Sequence, residues 1–447
     1  MSARLAAVTA LALALGACAA QDHEDEPAAA EAEIGLTRPS LPNVTAWAAG
    51  TNWKYETDFL GLRHAWVYTP NGFSKRAPGR RGVVFHLPGC GELPYQVAQG
   101  SAWAPVAEAH GLVVVVPEIL SPVYPNPAAP NVACYDFGTV MQPTRYARDH
   151  AALIEAGTRI ARDDLSLGID PRQIYIGGLS AGGTVAMQVA CMAPEIFSGV
   201  GSVAAPSLGT WQSMAVMPPV WSAPAIRWGC EYYANSSPAP DAKEKLGKQV
   251  YAIASDDNGL PAGIPIMIGG VWTATKFANQ KIWDGDKYIP FAHHRLIADA
   301  MAPLFGAKMT GEDVGLPYHG TGWGCPGGEV SHHDTAETEC EFSALQPRPW
   351  QVKADIWKDT KGRTRVVHLK QDGLRHRWPT GHKPPVTPSF EELVEKGYMS
   401  PFAEVYEAKA AGAPTGTFGI GFFGSIDTFD FTAYLADYFT ANNPRLD

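Results

Sequence analysis

Apolar residues along this chain fall into two patterns. Short unbroken runs, "GVVFHLPGC" at 82–90 and "GLVVVVPEI" at 111–119, end in turn or polar residues, and their length and β-branched content suit strands buried on both faces of a sheet. Between Arg148 and Arg162 the period changes: Leu153, Ile154, Gly157, Ile160 and Ala161 recur at helical spacing and form one apolar stripe. "GIDPRQIYIGG" then returns to strand. The succession strand, helix, strand at these lengths predicts a right-handed βαβ crossover and a parallel sheet.

The order continues downstream. "SGVGSVAA" reads as a strand, "QKIWDGDKYIP" as a strand with a loop, "FAHHRLIADAMAPLFG" as a helix and "RVVHLKQDGLRHRWP" as a late strand and loop. In the C-terminal "DFTAYLADYFTANN", Phe431, Tyr434, Leu435, Tyr438 and Phe439 share a helical face, with Asp430 placed to cap it. Upstream, residues 36–80 hold short strand-like pieces such as "LRHAWVYTP". Two stretches, around 207–280 and 311–350, fit the alternation poorly and read as loop-rich insertions over the sheet's edge. The expected architecture is α/β: a mostly parallel central sheet flanked by helices, in one domain spanning 36–447.

Composition supports a large core and excludes one class of partner. Of 447 residues, 46% are hydrophobic and 18% charged, which describes a core-forming globular chain. The net charge of −10, with no Lys/Arg run, argues against a nucleic-acid footprint. Residues 1–18 carry Arg4 and an apolar run from Leu5 to Leu15, shorter than the roughly 20 residues a spanning helix needs, so they read as an export signal. Its ending, Leu15-Gly16-Ala17-Cys18, resembles a bacterial lipobox that would make Cys18 the lipidated residue and the only membrane attachment; a plain cleavable signal is the alternative. The acidic, Ala-rich residues 19–35 read as a disordered tether. Six further cysteines, Cys90, Cys134, Cys191, Cys230, Cys325 and Cys340, favour disulfides in an exported chain, though their pairing is open.

The candidate chemistry centres on "IYIGGLSAGGTVAMQVA" at 174–190. Gly178-Leu179-Ser180-Ala181-Gly182 is a Gly-x-Ser-x-Gly pattern between a strand and a helix, the context of a nucleophile elbow, where a tight turn leaves no room for Cβ atoms beside the serine. Such a bend lifts the hydroxyl above the sheet's carboxyl edge at a helix N-terminus. A serine needs a base oriented by a carboxylate, and in α/β-hydrolases the chain order is Ser, acid, His. The best histidine is His376 in "QDGLRHRWPTG", with His368 and His382 as alternatives. The best acid is Asp286 in "KIWDGDKYIP", with Asp284 and Asp257 behind it. Two backbone N–H donors are needed for an oxyanion. One should be Ala181, the other Cys90 in the "PGCG" turn, which a Cys90 disulfide would brace.

These stretches together resemble the polyhydroxybutyrate depolymerase and feruloyl esterase group of α/β-hydrolases. "VVFHLPGCGE" is similar to the group's strand and oxyanion loop, with Leu87-Pro88 in place of a simple His-Gly turn; "NVACYDF" resembles its second cysteine segment, "GIDPRQIYIGGLSAGG" its nucleophile segment and "DGLRHRWPTG" its histidine before Trp-Pro. "KIWDGDKYIP" is similar to its acid loop, one residue short. The resemblance implies Ser180 as nucleophile, His376 as base, Asp286 as acid, a Cys90–Cys134 disulfide, and hydrolysis of carboxylic esters, of the hydroxy-acid polyester type first and feruloyl or acetyl esters of plant polysaccharides second. A catalytically silent surface-binding protein on the same fold is the rival reading. Trp211, Trp221, Trp228, Trp272 and Trp323, in irregular stretches, could form an aromatic platform for a polymer or pack loops. Glu329, His332, His333 and Asp334 read as a solvated polar loop rather than a cation site, and no metal or cofactor is expected.

Overall fold

The computed structural model describes residues 52–90, 92, 94, 97–98, 101–118, 134–138, 144–210, 219, 221–256, 289–316, 352–371, 376, 378–379, 423–425 and 431–447. All of them lie in one unit, Asn43–Asp447. Signal, tether and Cys18 fall outside the described residues, as do Asp257, Asp284, Asp286, His382, Cys325, Cys340 and Asp430.

The unbroken apolar runs become central strands. β1 (Trp53–Phe59) and β2 (Leu62–Tyr68) form an antiparallel hairpin, followed in chain order by β3 (Gly82–Leu87), β4 (Leu112–Pro117), β5 (Ile174–Leu179), β6 (Gly199–Val203) and β7 (Val250–Asp256). β8 (Lys308–Gly315), β9 (Lys353–Lys358) and β10 (Thr364–Gln371) complete a sheet of order β1-β2-β4-β3-β5-β6-β7-β10-β9-β8. From β4 to β10 the pairings are parallel; the flanking pairings are antiparallel.

Alternate residues feed two cores. Val83, Phe85, Ile174, Ile176, Tyr251 and Ile253 point to one face, where α2 (Arg148–Ala161), α3 (Ala181–Met192), α4 (Ala223–Asn235) and α6 (Phe291–Met301) pack. Val84, Tyr175, Val203, Val250 and Ala252 point to the other, covered by α1 (Trp103–His110) and α7 (Phe431–Asn442). Each fully buried side chain of this size contributes about 1.5–3 kcal/mol, so the helices are held by both faces of the same strands. A short α5 (Ala242–Leu246) sits before β7.

One expectation is corrected. The stretch around 207–280 is not simply an insertion over the edge: α4 packs on α3 and α6, and residues 250–256 form β7, a wholly buried strand between β6 and β10. β8, by contrast, is an exposed edge strand carrying polar residues. It is held by buried charge: Lys370 Nζ lies 2.6 Å from Asp355 Oδ1 and 2.5 Å from Asp313 Oδ1, while Arg295 Nη1 of α6 lies 3.2 Å from Asp355 Oδ2.

Candidate active site

Ser180 sits at the end of β5 with φ 55° and ψ −124°, a backbone region that L-residues rarely adopt and that costs about 1–3 kcal/mol. Two glycines make this bend possible. A Cβ on Gly178 would lie 2.5 Å from the Leu87 carbonyl oxygen, and one on Gly182 would collide with the carbonyls of Leu87 and Pro88. The turn is tied down from below, since Ser180 N–H donates to Val203 O (2.9 Å) and Thr184 N–H to Ser180 O (3.1 Å). Thr184 Oγ1 also donates to Pro206 O (2.8 Å), fixing the first turn of α3 to the loop after β6. Ser180 is partly exposed between buried Leu179 and Ala181. Its hydroxyl therefore stands at the N-terminus of α3, where developing negative charge is favoured.

The same close packing brings the two expected oxyanion segments together. β3 and β5 are in register with Leu87 opposite Gly178, so the turn Pro88-Gly89-Cys90 lies against the start of α3 and Ala181. Leu87-Pro88 is what Gly182 packs on. Cys90 is bonded to Cys134, the pairing the resemblance implied, and a second disulfide joins Cys191 of α3 to Cys230 of α4. Gly89 N–H donates to Glu92 Oε2 at 2.6 Å, leaving Cys90 as the next amide along the turn.

His376 is half-buried and precedes Trp378 by two residues. Trp378 forms β11 with Pro379, pairing with β12 (Phe423–Ser425), and its wholly buried indole anchors this loop. The ring lies 4.1 Å, centroid to centroid, from His86 of β3 and 5.1 Å from Phe431 of α7, and its Nε1–H donates to Thr432 Oγ1 at 2.8 Å. Thr432 in turn donates to Ser101 O (2.6 Å). His86 accepts from Trp103 Nε1 at its Nδ1 (2.7 Å), and burial lowers its pKa to about 3, so the ring is neutral. The histidine loop is thus pinned to the strand that carries the Pro88–Cys90 turn. Asp286, Asp284, Asp257 and His382 lie outside the described residues.

Among the described residues two serine–histidine contacts occur, neither involving Ser180, and both are enclosed. Ser207 Oγ is 3.0 Å from His293 Nδ1, and Ser255 Oγ is 2.7 Å from His368 Nε2, with all four residues fully buried. Burial, aided by Lys370 and Arg295, lowers His368 to about 3. Neither serine shows the positive φ of an elbow, and neither can meet a substrate without opening the core. His368 is a strand residue of β10.

Sequence reasoning missed His86, Trp103, Trp378 and Glu92 as site-shaping residues; "HLPGCGE" and "RHRWP" contain three of them, but only burial and contact reveal their roles. Of the tryptophans, Trp221 is partly buried and Trp228 exposed, stacked on Tyr232 at 5.6 Å; Trp211, Trp272 and Trp323 lie outside the described residues. No group of three or more His, Cys, Asp or Glu among the described residues could hold a metal ion. The polar run from Glu329 to Asp334 lies outside them.

Strand order, parallel crossovers and the strained serine between β5 and α3 define an α/β-hydrolase fold. In sequence the chain is similar to a poly(3-hydroxybutyrate) depolymerase of Ralstonia pickettii, 24% identical over 348 residues, covering 75% of this chain and 56% of that protein. The chain therefore spans little more than half the length of that relative. No family model matches the chain. Solved structures with similarity include an acetyl xylan esterase from Aspergillus awamori (TM-score 0.47, 13% identity, 78% of this chain and 99% of that one). Another is a poly(3-hydroxybutyrate) depolymerase from Bordetella parapertussis (TM-score 0.31, 18% identity, 48% of this chain and 70% of that one).

Proposed function

We propose that this protein is a serine esterase that hydrolyses carboxylic esters, with hydroxy-acid polyesters or their oligomers as the substrate class. The observation that carries the reading is Ser180: partly exposed, held at φ 55° at a helix N-terminus, and packed beside the Pro88–Cys90 turn. Its likeness in sequence to the Ralstonia pickettii depolymerase supports the substrate class.

In this reading Ser180 Oγ attacks the ester carbonyl carbon while His376, oriented by Asp286, takes the hydroxyl proton. The carbonyl electron pair moves onto oxygen, where the N–H groups of Ala181 and Cys90 stabilise it; one such donor is worth about 100- to 1000-fold in rate. The bond to the alcohol breaks as His376 returns the proton to the leaving oxygen, and an acyl-Ser180 remains. Water, giving its proton to His376, attacks the acyl carbon, and Ser180 departs reprotonated. No cofactor enters this scheme. Two disulfides support an oxidising compartment, and export with a lipid anchor at Cys18 belongs to the same proposal.

Hydrolysis of p-nitrophenyl butyrate, hydroxybutyrate oligomers and methyl ferulate, measured side by side, tests the reading. Turnover of the first two, abolished in Ser180→Ala and His376→Ala, is the expected result. Preference for methyl ferulate would move the substrate class to aromatic esters. A folded protein inactive on all three would favour the silent binder.

A further inference from the structure

The turn after β3 contains a buried acid that the scheme above does not use. Glu92 and Gly89 are bonded twice: Gly89 N–H donates to Glu92 Oε2 (2.6 Å), and Glu92 N–H donates to Gly89 O (3.1 Å). Glu92 is only 3% exposed, and its Oε1 is buried with no hydrogen-bond partner among the described residues. A Cβ placed on Gly89 would lie 3.3 Å from Glu92 Oε2 and 3.4 Å from the carbonyl oxygen of Leu179, the residue before Ser180. The carboxyl and the last carbonyl of β5 therefore flank the same face of the turn.

We propose that Glu92 is a positioning residue for the oxyanion turn: as a neutral carboxylic acid it occupies the Gly89 N–H, closes the turn, and leaves the Cys90 N–H to face the reacting carbonyl. The proposal rests on the esterase reading and names the group that shapes its oxyanion site. An ionised carboxylate here would be a buried negative charge beside the place where a second one develops, so the turn works only while the acid holds its proton.

The surroundings favour the protonated form. Burial raises the Glu92 carboxyl to about 8, with the Gly89 N–H the opposing influence. On the elements that meet there, His86 of β3 is kept neutral by burial, Cys90 and Cys134 are locked in their disulfide, and Tyr135 beside Cys134 is a buried phenol raised well above its ordinary value. His376, two residues before the Trp378 that packs on His86 of β3, is a further titratable group on these segments.

The test is the pH dependence of kcat on p-nitrophenyl butyrate for the full chain, Glu92→Gln and Glu92→Leu. Glutamine keeps an oxygen for the Gly89 N–H and cannot ionise. We expect wild-type kcat to fall about tenfold or more as pH rises from 7 to 9.5, while Glu92→Gln holds its pH 7 rate within about threefold over the same range. Glu92→Leu, which loses the acceptor, should lower kcat about tenfold or more at pH 7 with KM little changed. If the leucine variant does not fold, the glutamine variant decides alone.

Melting temperature supplies a readout independent of turnover. An acid at its ordinary value near 4.5 when unfolded and near 8 when folded contributes stability that is full below 4.5 and is lost as pH rises through 8. Glu92→Gln should therefore gain stability relative to wild type over that window. Superimposed kcat profiles for wild type and Glu92→Gln, or no difference between their melting profiles, would overturn the proposal. Wild-type protein that a fluorophosphonate does not label at Ser180 would overturn the esterase reading and the oxyanion claim with it, whereas labelling with superimposed profiles overturns the Glu92 proposal alone.

Discussion

Replacing Trp378 by alanine removes the side chain that ties the His376 loop to the rest of the site. The indole is fully buried, so its truncation costs about 3–5 kcal/mol, a figure that includes the cavity left between His86 and Phe431. The lost Nε1–H bond to Thr432 is worth about 0.5–1.5 kcal/mol by itself. A chain of this size has about 5–15 kcal/mol of stability to lose, so most of the variant remains folded at room temperature. Activity should suffer more than folding, because a displacement of about 1 Å in a reacting group can cost about 100-fold in rate. Trp378→Phe separates the two effects. It keeps a ring on His86 and Phe431, losing the hydrogen bond and some packing, and should fall by about 1–2 kcal/mol in stability while holding kcat within about threefold. Urea unfolding and steady-state kinetics on p-nitrophenyl butyrate measure both quantities. A folded Trp378→Ala protein with kcat within about twofold of wild type would refute the claim that this side chain positions the histidine loop.

Three further outcomes follow from the same structure. Gly178→Ala puts a methyl group 2.5 Å from the Leu87 carbonyl oxygen, so the elbow and the oxyanion turn must separate; loss of turnover with a lowered melting temperature is expected, and a variant of normal activity would contradict the packing. Asp355→Ala leaves Lys370 and Arg295 without the buried carboxylate they share and should cost about 3–5 kcal/mol in urea unfolding; a loss under about 1 kcal/mol would show that the network does not hold β8 and β9. His368 is held neutral to about pH 3 by burial, whereas in the unfolded chain it takes up a proton near 6.5, so it makes the protein lose about 1.4 kcal/mol per pH unit as pH falls below 6.5. His368→Gln should flatten that acid slope by about one proton, and an unchanged slope would place the ring in contact with water.

Legibility from sequence tracked how much of each signal is local. β3, β4 and β5 could be read because strands covered on both faces are continuous apolar runs, and α2 because its stripe repeats at helical spacing. β7 has the same kind of signal in "VYAIASD", yet it lies between stretches that break the alternation, which hides it within an apparent insertion. β8, "KMTGEDVG", carries almost no apolar pattern, because an exposed edge strand is held by Asp313 and its neighbours rather than by a hydrophobic face.

The site divides along the same line. Ser180 and its glycines were legible since the elbow's steric needs are written into five consecutive residues. The stack of Trp378 on His86 joins segments far apart in the chain, and nothing local announces it. Nothing in the sequence singles out Glu92, and only its burial beside Gly89 gives it a place in the turn.

In the proposed esterase the hydroxyl of Ser180 is a reactive nucleophile rather than a strained turn residue. Treating the protein with a fluorophosphonate, followed by intact-mass and peptide mass spectrometry, tests this most directly. One stoichiometric phosphonyl adduct, located on Ser180 and absent from Ser180→Ala, is the expected result. A well-folded wild-type protein that takes up no adduct, or takes it up at Ser207 or Ser255, would contradict it.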